Sequence, residues 1–412
     1  MKKSLFALAA VGAFAGAAQA QSSVSVYGVM DGSYTATENK ATTNAGVVTT
    51  VQGRNTVNGD GALSTSRLGF RGVEDLGKGL SAQFVLEYDL VNIGNGGNGN
   101  GNTVAPTTSA IGGSQAASGG ALAGFGARYS YIGLSDKALG TVRIGRQEAS
   151  IFSVVTNGLA GQANNMTGSV YSAGSTGESP NSASIRPLDV FVNQAITYIS
   201  PNVSGFTVEA QTSQVAYSAS ATTQSTGATA TGGSLKFTGV KNLSVAIGIA
   251  QQNTTGAISS AASTAFAPAI SSEAYSNRKT VQTAASANYN FGVAQVFAVG
   301  TKIKVDNLSA GTTLRDQTVY EIGVRAPITP VVGVWASGFK GNKTMTANNS
   351  LLSATNDGRA DLAGWQLGAT YAFSKRTTAY AIYGTQDVKG KDAANNAKIQ
   401  SDGYALGLRH TF

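Results

Sequence analysis

Residues able to do covalent chemistry are scarce in this chain. It has one histidine, His410, and no cysteine. A Ser-His-Asp arrangement would depend on that single imidazole two residues from the end, and a His/Cys metal set cannot be assembled. Gly94-Asn-Gly-Gly-Asn-Gly99 matches the GxGxxG spacing that cradles phosphates, but it runs on into an Asn/Gly tract. Without a following helix there is no N-terminal dipole to hold a phosphate. The sequence therefore reads as a non-enzyme with no cofactor and no metal. What remains chemically pointed is a set of arginines inside alternating segments, Arg67, Arg71, Arg128 and Arg143. A fixed positive charge on one face of a strand acts on a passing ion rather than on a bond.

The elements that would position these charges are strands. In Leu80-Ser-Ala-Gln-Phe-Val-Leu-Glu-Tyr-Asp-Leu90 one face carries Leu80, Ala82, Phe84, Leu86, Tyr88 and Leu90, the other Ser81, Gln83, Val85, Glu87 and Asp89. Period two separates the sets and a helical period does not. Sixteen such segments are expected, near 23–36, 63–74, 80–90, 127–135, 140–148, 190–200, 204–214, 231–239, 243–252, 278–290, 293–304, 315–327, 330–341, 361–373, 375–386 and 400–412. Short turns alternate with long Gly/Asn/Ser/Thr-rich connections, of which 37–62, 91–126 and 149–189 are the longest. Charged residues are only 12%, roughly half the usual share, yet no apolar run after residue 20 is long enough for a membrane helix. Together these point to an all-β fold, a 16-stranded antiparallel transmembrane β-barrel with short turns on one rim and long loops on the other. An exported soluble β-rich adhesin is the competing class. It would explain the polar loops but would not require outward-facing apolar strands.

Lys2 and Lys3, the apolar run 5–18 and Ala18-Gln19-Ala20 read as a signal peptide over 1–20, leaving 21–412 as one barrel domain. The formal charge of +8 falls by two with Lys2 and Lys3. No Lys/Arg cluster of the kind that tracks phosphates is present, so nucleic acid is not an expected partner and outer-membrane lipid is.

Parity assigns the inner face. If Leu68 and Phe70 face lipid, Arg67 and Arg71 face inward. If Tyr129 and Tyr131 face out, Arg128 faces in, and Arg143 opposes Val142 and Ile144. The same counting puts Lys236, Arg278, Lys302, Lys304, Arg325 and Arg409 inside, against fewer inward acids, Asp31, Glu87, Asp89, Glu209 and Glu321. An excess of inward cations lowers the entry barrier for anions. The alternative for Arg67 and Arg128 is that they are ordinary lumen arginines paired with wall carboxylates. Arg146 falls on the outward face near the upper rim, where it either snorkels to headgroups or reaches a neighbouring subunit. His410 falls outward too, in an interfacial girdle.

Several stretches together resemble the general porins of the Gram-negative outer membrane, most closely the family common in beta-proteobacteria. They are Ser25-Val-Tyr-Gly-Val-Met-Asp31, Ser66-Arg-Leu-Gly-Phe-Arg-Gly72 followed by Glu74-Asp-Leu-Gly-Lys-Gly79, Tyr131-Ile-Gly-Leu134, Gly145-Arg-Gln147, Asn193 through Tyr198, and the terminal Gly407-Leu-Arg-His-Thr-Phe412. The resemblance implies a homotrimer passing ions and small hydrophilic solutes by passive diffusion, and the excess of inward cations adds a mild preference for small anions. Its third long loop, 149–189, would fold into the lumen. Arg67 and Arg128 would line the constriction, with Arg143 and Arg71 on the same basic wall and Glu148, Glu178 and Asp189 on the loop side. Phe412 would be the signal read by the barrel-assembly machinery. One departure weakens the expectation of strong anion selectivity. The family often places an arginine before the Asn of its sixth strand, and this chain reads Asp189-Val-Phe-Val-Asn193, leaving Arg186 as a substitute from the loop. A substrate-specific channel is the runner-up; it would show an aromatic slide along the lumen, and parity reveals none.

Overall fold

The computed structural model describes residues 23–42, 46–58, 61–90, 125–171, 190–217, 226–255, 277–308, 311–346, 357–391 and 398–412. Almost all are strand: β1 (Ser23–Thr42), β2 (Val48–Asn58), β3 (Arg67–Gly77), β4 (Leu80–Leu90), β5 (Phe125–Asp136), β6 (Gly140–Glu148), β7 (Phe191–Ile199), β8 (Phe206–Tyr217) and β9 (Thr226–Phe237). The circuit continues with β10 (Leu243–Thr255), β11 (Arg278–Asn290), β12 (Gln295–Asn307), β13 (Thr312–Pro327), β14 (Val332–Thr346), β15 (Asp357–Ala372), β16 (Thr377–Gly390) and β17 (Lys398–Thr411). One helix, α1 (Ser150–Asn157), follows β6.

From β3 onward each strand pairs antiparallel with the next, and β1 closes on β17 from Val29↔Thr411 to Thr42↔Lys398. Closure leaves no unpaired edge, which hydrocarbon would not tolerate. The other edge of β1 is shared: its upper part pairs with β2 (Thr35↔Asn55 to Thr42↔Val48) and its lower part with β3 (Ser23↔Val73 to Val29↔Arg67). Seventeen segments therefore occupy sixteen positions, β2 and β3 being two pieces of one barrel strand. The connection expected at 37–62 is for the most part this hairpin. Its polar Thr/Asn/Gly sequence lacks the apolar face on which a period-two reading depends.

Between β2 and β3 the chain turns into the barrel. Ala62 and Leu63 are buried, and the Asp31 carboxylate accepts the Ser64 amide at 2.7 Å and the Tyr380 hydroxyl at 2.5 Å. Gly61 lies so close to the Asp31 carboxylate that a Cβ there would overlap it.

Apolar residues stand exposed on the outer face, as in Val142 and Ile144 on β6 or Ile322 and Val324 on β13. Aromatic pairs mark the end with the short turns, Phe206 with Phe237, Tyr289 with Phe291, and Tyr371 with Phe373, at ring separations of 4.6, 4.6 and 5.0 Å. Trp365 and Tyr383 pair nearer the opposite rim at 5.4 Å. Aromatic rings with one wet edge favour the two interfaces of a bilayer, so these pairs fix where the membrane meets the wall.

The core lies inside the lumen. Residues 149–171 fold inward from β6 as the loop expectation required. In α1, Ile151, Val154 and Val155 share one face at helical spacing, and with Leu159 and Val170 they pack on Ala246, Ala284, Val299 and Val319 of the wall. Small wall residues permit this: a Cβ at Gly232 would sit 2.8 Å from Ser150 Oγ, and one at Gly248 2.9 Å from Val154. Polar tethers continue the path. Asn157 receives Ser244 Oγ at 2.8 Å and donates to Ser286 Oγ at 3.1 Å, and Arg325 donates to Ala160 O. Asn164 and Gln366 exchange side-chain hydrogen bonds at 2.6 and 3.1 Å. Glu321 accepts Val170 N at 2.8 Å, and Asn165 N reaches Ala62 O at 2.9 Å. The loop thus covers the inner wall from β7 round to β17 and leaves the β3–β6 wall facing open lumen.

Candidate functional site

The uncovered wall carries the arginines. On β3, Arg67 pairs in register with Asp89 and Arg71 with Val85. Between β4 and β5 the register shifts: Glu87 faces Tyr129 and Tyr88 faces Ala127, so Arg128 is an extra residue in a β-bulge. A bulge re-aims side chains on its strand. Here it lets Arg128 and Tyr129, adjacent in sequence, both point inward. Arg128 Nε meets Glu87 Oε1 at 2.7 Å, and Nη1 meets Asp89 Oδ1 and Thr65 Oγ1 at 3.0 Å each. Its guanidinium also lies 4.8 Å from the Phe191 ring centroid. Arg67 Nε lies 3.7 Å from the second oxygen of the same Glu87. Two cations and two acids are thus spent largely on each other.

Arg71 and Arg143 differ. Neither has a carboxylate within ion-pair distance among the described residues. Each guanidinium instead stacks on a tyrosine, Arg71 at 5.3 Å from the Tyr27 centroid and Arg143 at 5.1 Å from that of Tyr131. Such stacking fixes the orientation of the charge while leaving its N–H edge toward the lumen. Together with Val85, Tyr129, Gln147, Glu148, Ala149, Ser153 and Glu209 these residues line one cavity of about 400 Å³.

Sequence parity and geometry diverge at identifiable places. Tyr129 and Tyr131, expected to face lipid, face the lumen, because the bulge at Arg128 breaks the simple alternation on which that expectation relied. Lys302 and Lys304, expected inside, face outward, and each is about half exposed. Lys302 Nζ lies 3.3 Å from Asp316 and Lys304 Nζ 3.2 Å from Asp306. Parity fails there because the apolar side of β12, Phe297, Val299, Ile303 and Val305, is buried inside the barrel, where the first two support the inward loop. Hydrophobic does not mean lipid-facing where something apolar occupies the lumen. Glu148, expected on the loop, ends β6 and belongs to the wall, where it bonds the Tyr129 hydroxyl. Glu178, Asp189 and Arg186 lie outside the described residues, and residues 149–171 contain no acid at all.

The other candidates fall as follows. Lys236 points inward on β9, in register with buried Ala246. Arg278 is buried at the start of β11. Arg325 tethers the loop, and Arg409 stands in register with Asp31. Arg146 is held within its own chain, donating to Ala127 O at 2.9 Å and to Asn193 Oδ1. His410 is outward, with Nδ1 2.9 Å from Thr377 Oγ1. Phe412 exchanges backbone hydrogen bonds with Gly28 at 3.1 Å and turns its ring half-exposed to the outside. Two inward cations escaped the sequence reading. Arg315 follows a register shift opposite β12, and Lys343 lies beyond where β14 was expected to end. Inward cations still outnumber inward acids among the described residues. None of the described residues forms a group able to hold a metal ion.

A family model described as Gram-negative porin matches residues 7–391. The chain is 45% identical over 103 residues to outer membrane porin protein 32 of Delftia acidovorans, covering 24% of this chain and 25% of that protein. It is 35% identical over 161 residues to an outer membrane porin protein of Bordetella pertussis, covering 36% and 34%. The aligned stretches thus span between a quarter and about a third of those relatives. Among solved structures, an anion-selective porin from Comamonas acidovorans superposes with a TM-score of 0.62 at 23% identity, over 95% of this chain and 100% of that one. The trimer form of OmpT of Vibrio cholerae gives 0.55 at 13% identity, over 95% and 99%.

Proposed function

The chain belongs to the Gram-negative porin family, and from that membership we propose that it forms a water-filled channel for passive diffusion of ions and small hydrophilic solutes, with a mild preference for anions. Its setting is the outer membrane, integral to the bilayer. The observation that carries the channel reading is the asymmetry of the lumen. An apolar loop is packed against one side, and left open opposite is a polar wall on which Arg71 and Arg143 have no carboxylate within ion-pair distance among the described residues. A low-dielectric wall focuses the field of such charges into the water path, and the pairing of Arg67 and Arg128 with Glu87 and Asp89 keeps the preference modest.

Export by the signal over 1–20, insertion guided by Phe412 and assembly as a homotrimer complete the proposal, as does the absence of enzymatic activity. The anion selectivity of the Comamonas porin and the trimer form of the Vibrio protein support selectivity and assembly by analogy. Because Arg146 already donates to its own chain, a role at a subunit contact would use its remaining surface.

Liposome swelling with neutral sugars of graded size tests the channel directly. Swelling rates that fall steadily with solute size fit passive diffusion. Vesicles that do not swell with any sugar contradict it.

A further inference from the structure

The bulge that turns Tyr129 and Tyr131 inward creates an aromatic lining that alternation alone conceals. The geometry points to a saturable subsite in the open half of the lumen that takes small zwitterions of the α-amino-acid type, aromatic ones best. This rests on the channel reading above and gives that channel a preferred solute.

Two arginines and two acids share the cavity, and they come from three strands, β3, β6 and β8. Arg71 on β3, Val85 on β4, Tyr131 on β5 and Gly145 on β6 form one row across the wall. In the next row toward the short turns lie Gly133, Arg143, Thr197 and Gln211. Glu209 is the following inward residue of β8, one step further in the same direction, while Glu148 closes the other end at the top of β6. The cavity of about 400 Å³ falls within the range of roughly 300–1,000 Å³ typical of small-molecule sites.

The charges around it decide the ligand. Among the described residues Arg71 and Arg143 have no carboxylate at ion-pair distance, and Arg143 Nε is buried without a hydrogen-bond partner. Stacking on Tyr27 and Tyr131 holds both forks where a bidentate carboxylate could meet them. A simple anion would satisfy these donors but would also face Glu148 and Glu209. A simple cation would meet the reverse problem. A solute carrying both a carboxylate and an ammonium answers all four groups. The rings of Tyr27, Tyr129 and Tyr131 with Val85 supply an apolar wall for a ring on the solute.

The test is titration of open channels in planar bilayers, using the full-length refolded protein and three probes of one skeleton. Phenylalanine is the zwitterion, 3-phenylpropionate the anion and 2-phenylethylamine the cation. Phenylalanine should reduce ion current along a saturating curve and bind about tenfold more tightly than either partner, the value of one charge-assisted hydrogen bond. Glu209→Gln should weaken phenylalanine and strengthen phenylpropionate. Arg143→Gln should weaken phenylalanine and phenylpropionate alike. Linear, unsaturating curves identical for all three probes would overturn the subsite while leaving the channel standing. So would phenylpropionate binding as tightly as phenylalanine in the unaltered protein. Failure to observe any conductance in KCl alone would instead remove the channel reading, so the two failures are told apart.

Discussion

Glu87 is the residue whose change most sharply separates paired from unpaired charge in this lumen. It is 4% exposed and lies between Arg128 at 2.7 Å and Arg67 at 3.7 Å. Glu87→Gln keeps the shape and can still accept from Arg128 while deleting one negative charge. One added positive charge about 6 Å from a passing ion in water at ~0.1 M salt contributes roughly 0.4 kcal/mol after screening. That enriches anions about twofold and depletes cations about twofold, a shift of about fourfold in the anion-to-cation permeability ratio. The assay is the reversal potential across a planar bilayer under a KCl gradient. A move toward greater anion preference by several-fold is expected. An unchanged potential, or one that moves toward cations, would refute the claim that Glu87 neutralises arginines facing the ion path.

Arg128→Gln should do the opposite and also destabilise the barrel, because Glu87 and Asp89 lose their shared partner. Breaking such a largely buried network costs about 3–5 kcal/mol, visible as a lower midpoint in thermal denaturation than for Arg71→Gln. Leu159→Ala removes a side chain that is 1% exposed from the loop core. A loss of about 2–5 kcal/mol should appear as noisier channels with a larger mean conductance, whereas quiet, unchanged channels would show that the loop is held by its polar tethers alone. Lys236→Gln should shift the reversal potential toward cations, and Lys302→Gln should leave it where it is. Equal effects would mean that the inward and outward assignments of these two lysines are mistaken.

The barrel was legible because its strands alternate wherever one face meets lipid, as on β4, β6 and β13, and because the connections alternate in length. The site was legible only in part. Arg71 and Arg143 follow from alternation within their strands. Arg128 reaches the lumen for a different reason, the bulge opposite Glu87 and Tyr88, which no sequence periodicity announces and which carries Tyr129 and Tyr131 inward with it. Lys302 and Lys304 were misplaced because Val299 and its neighbours look like a lipid-facing stripe and in fact receive the inward loop. The β2 strand was invisible because both its faces are polar. On β5 and β12 alternation shows that two faces differ, and tertiary packing decides which of them looks inward.

Arg71 and Arg143, rather than the paired Arg67 and Arg128, set the ion preference of the open channel in this proposal. Reversal potentials under a KCl gradient for the unaltered protein and for the double change Arg71→Gln with Arg143→Gln test it most directly. Stepwise conductance is expected, with an anion-favouring potential that falls toward zero or beyond in the double variant. A potential of cation-favouring sign in the unaltered protein, or one that the double change leaves untouched, would contradict it.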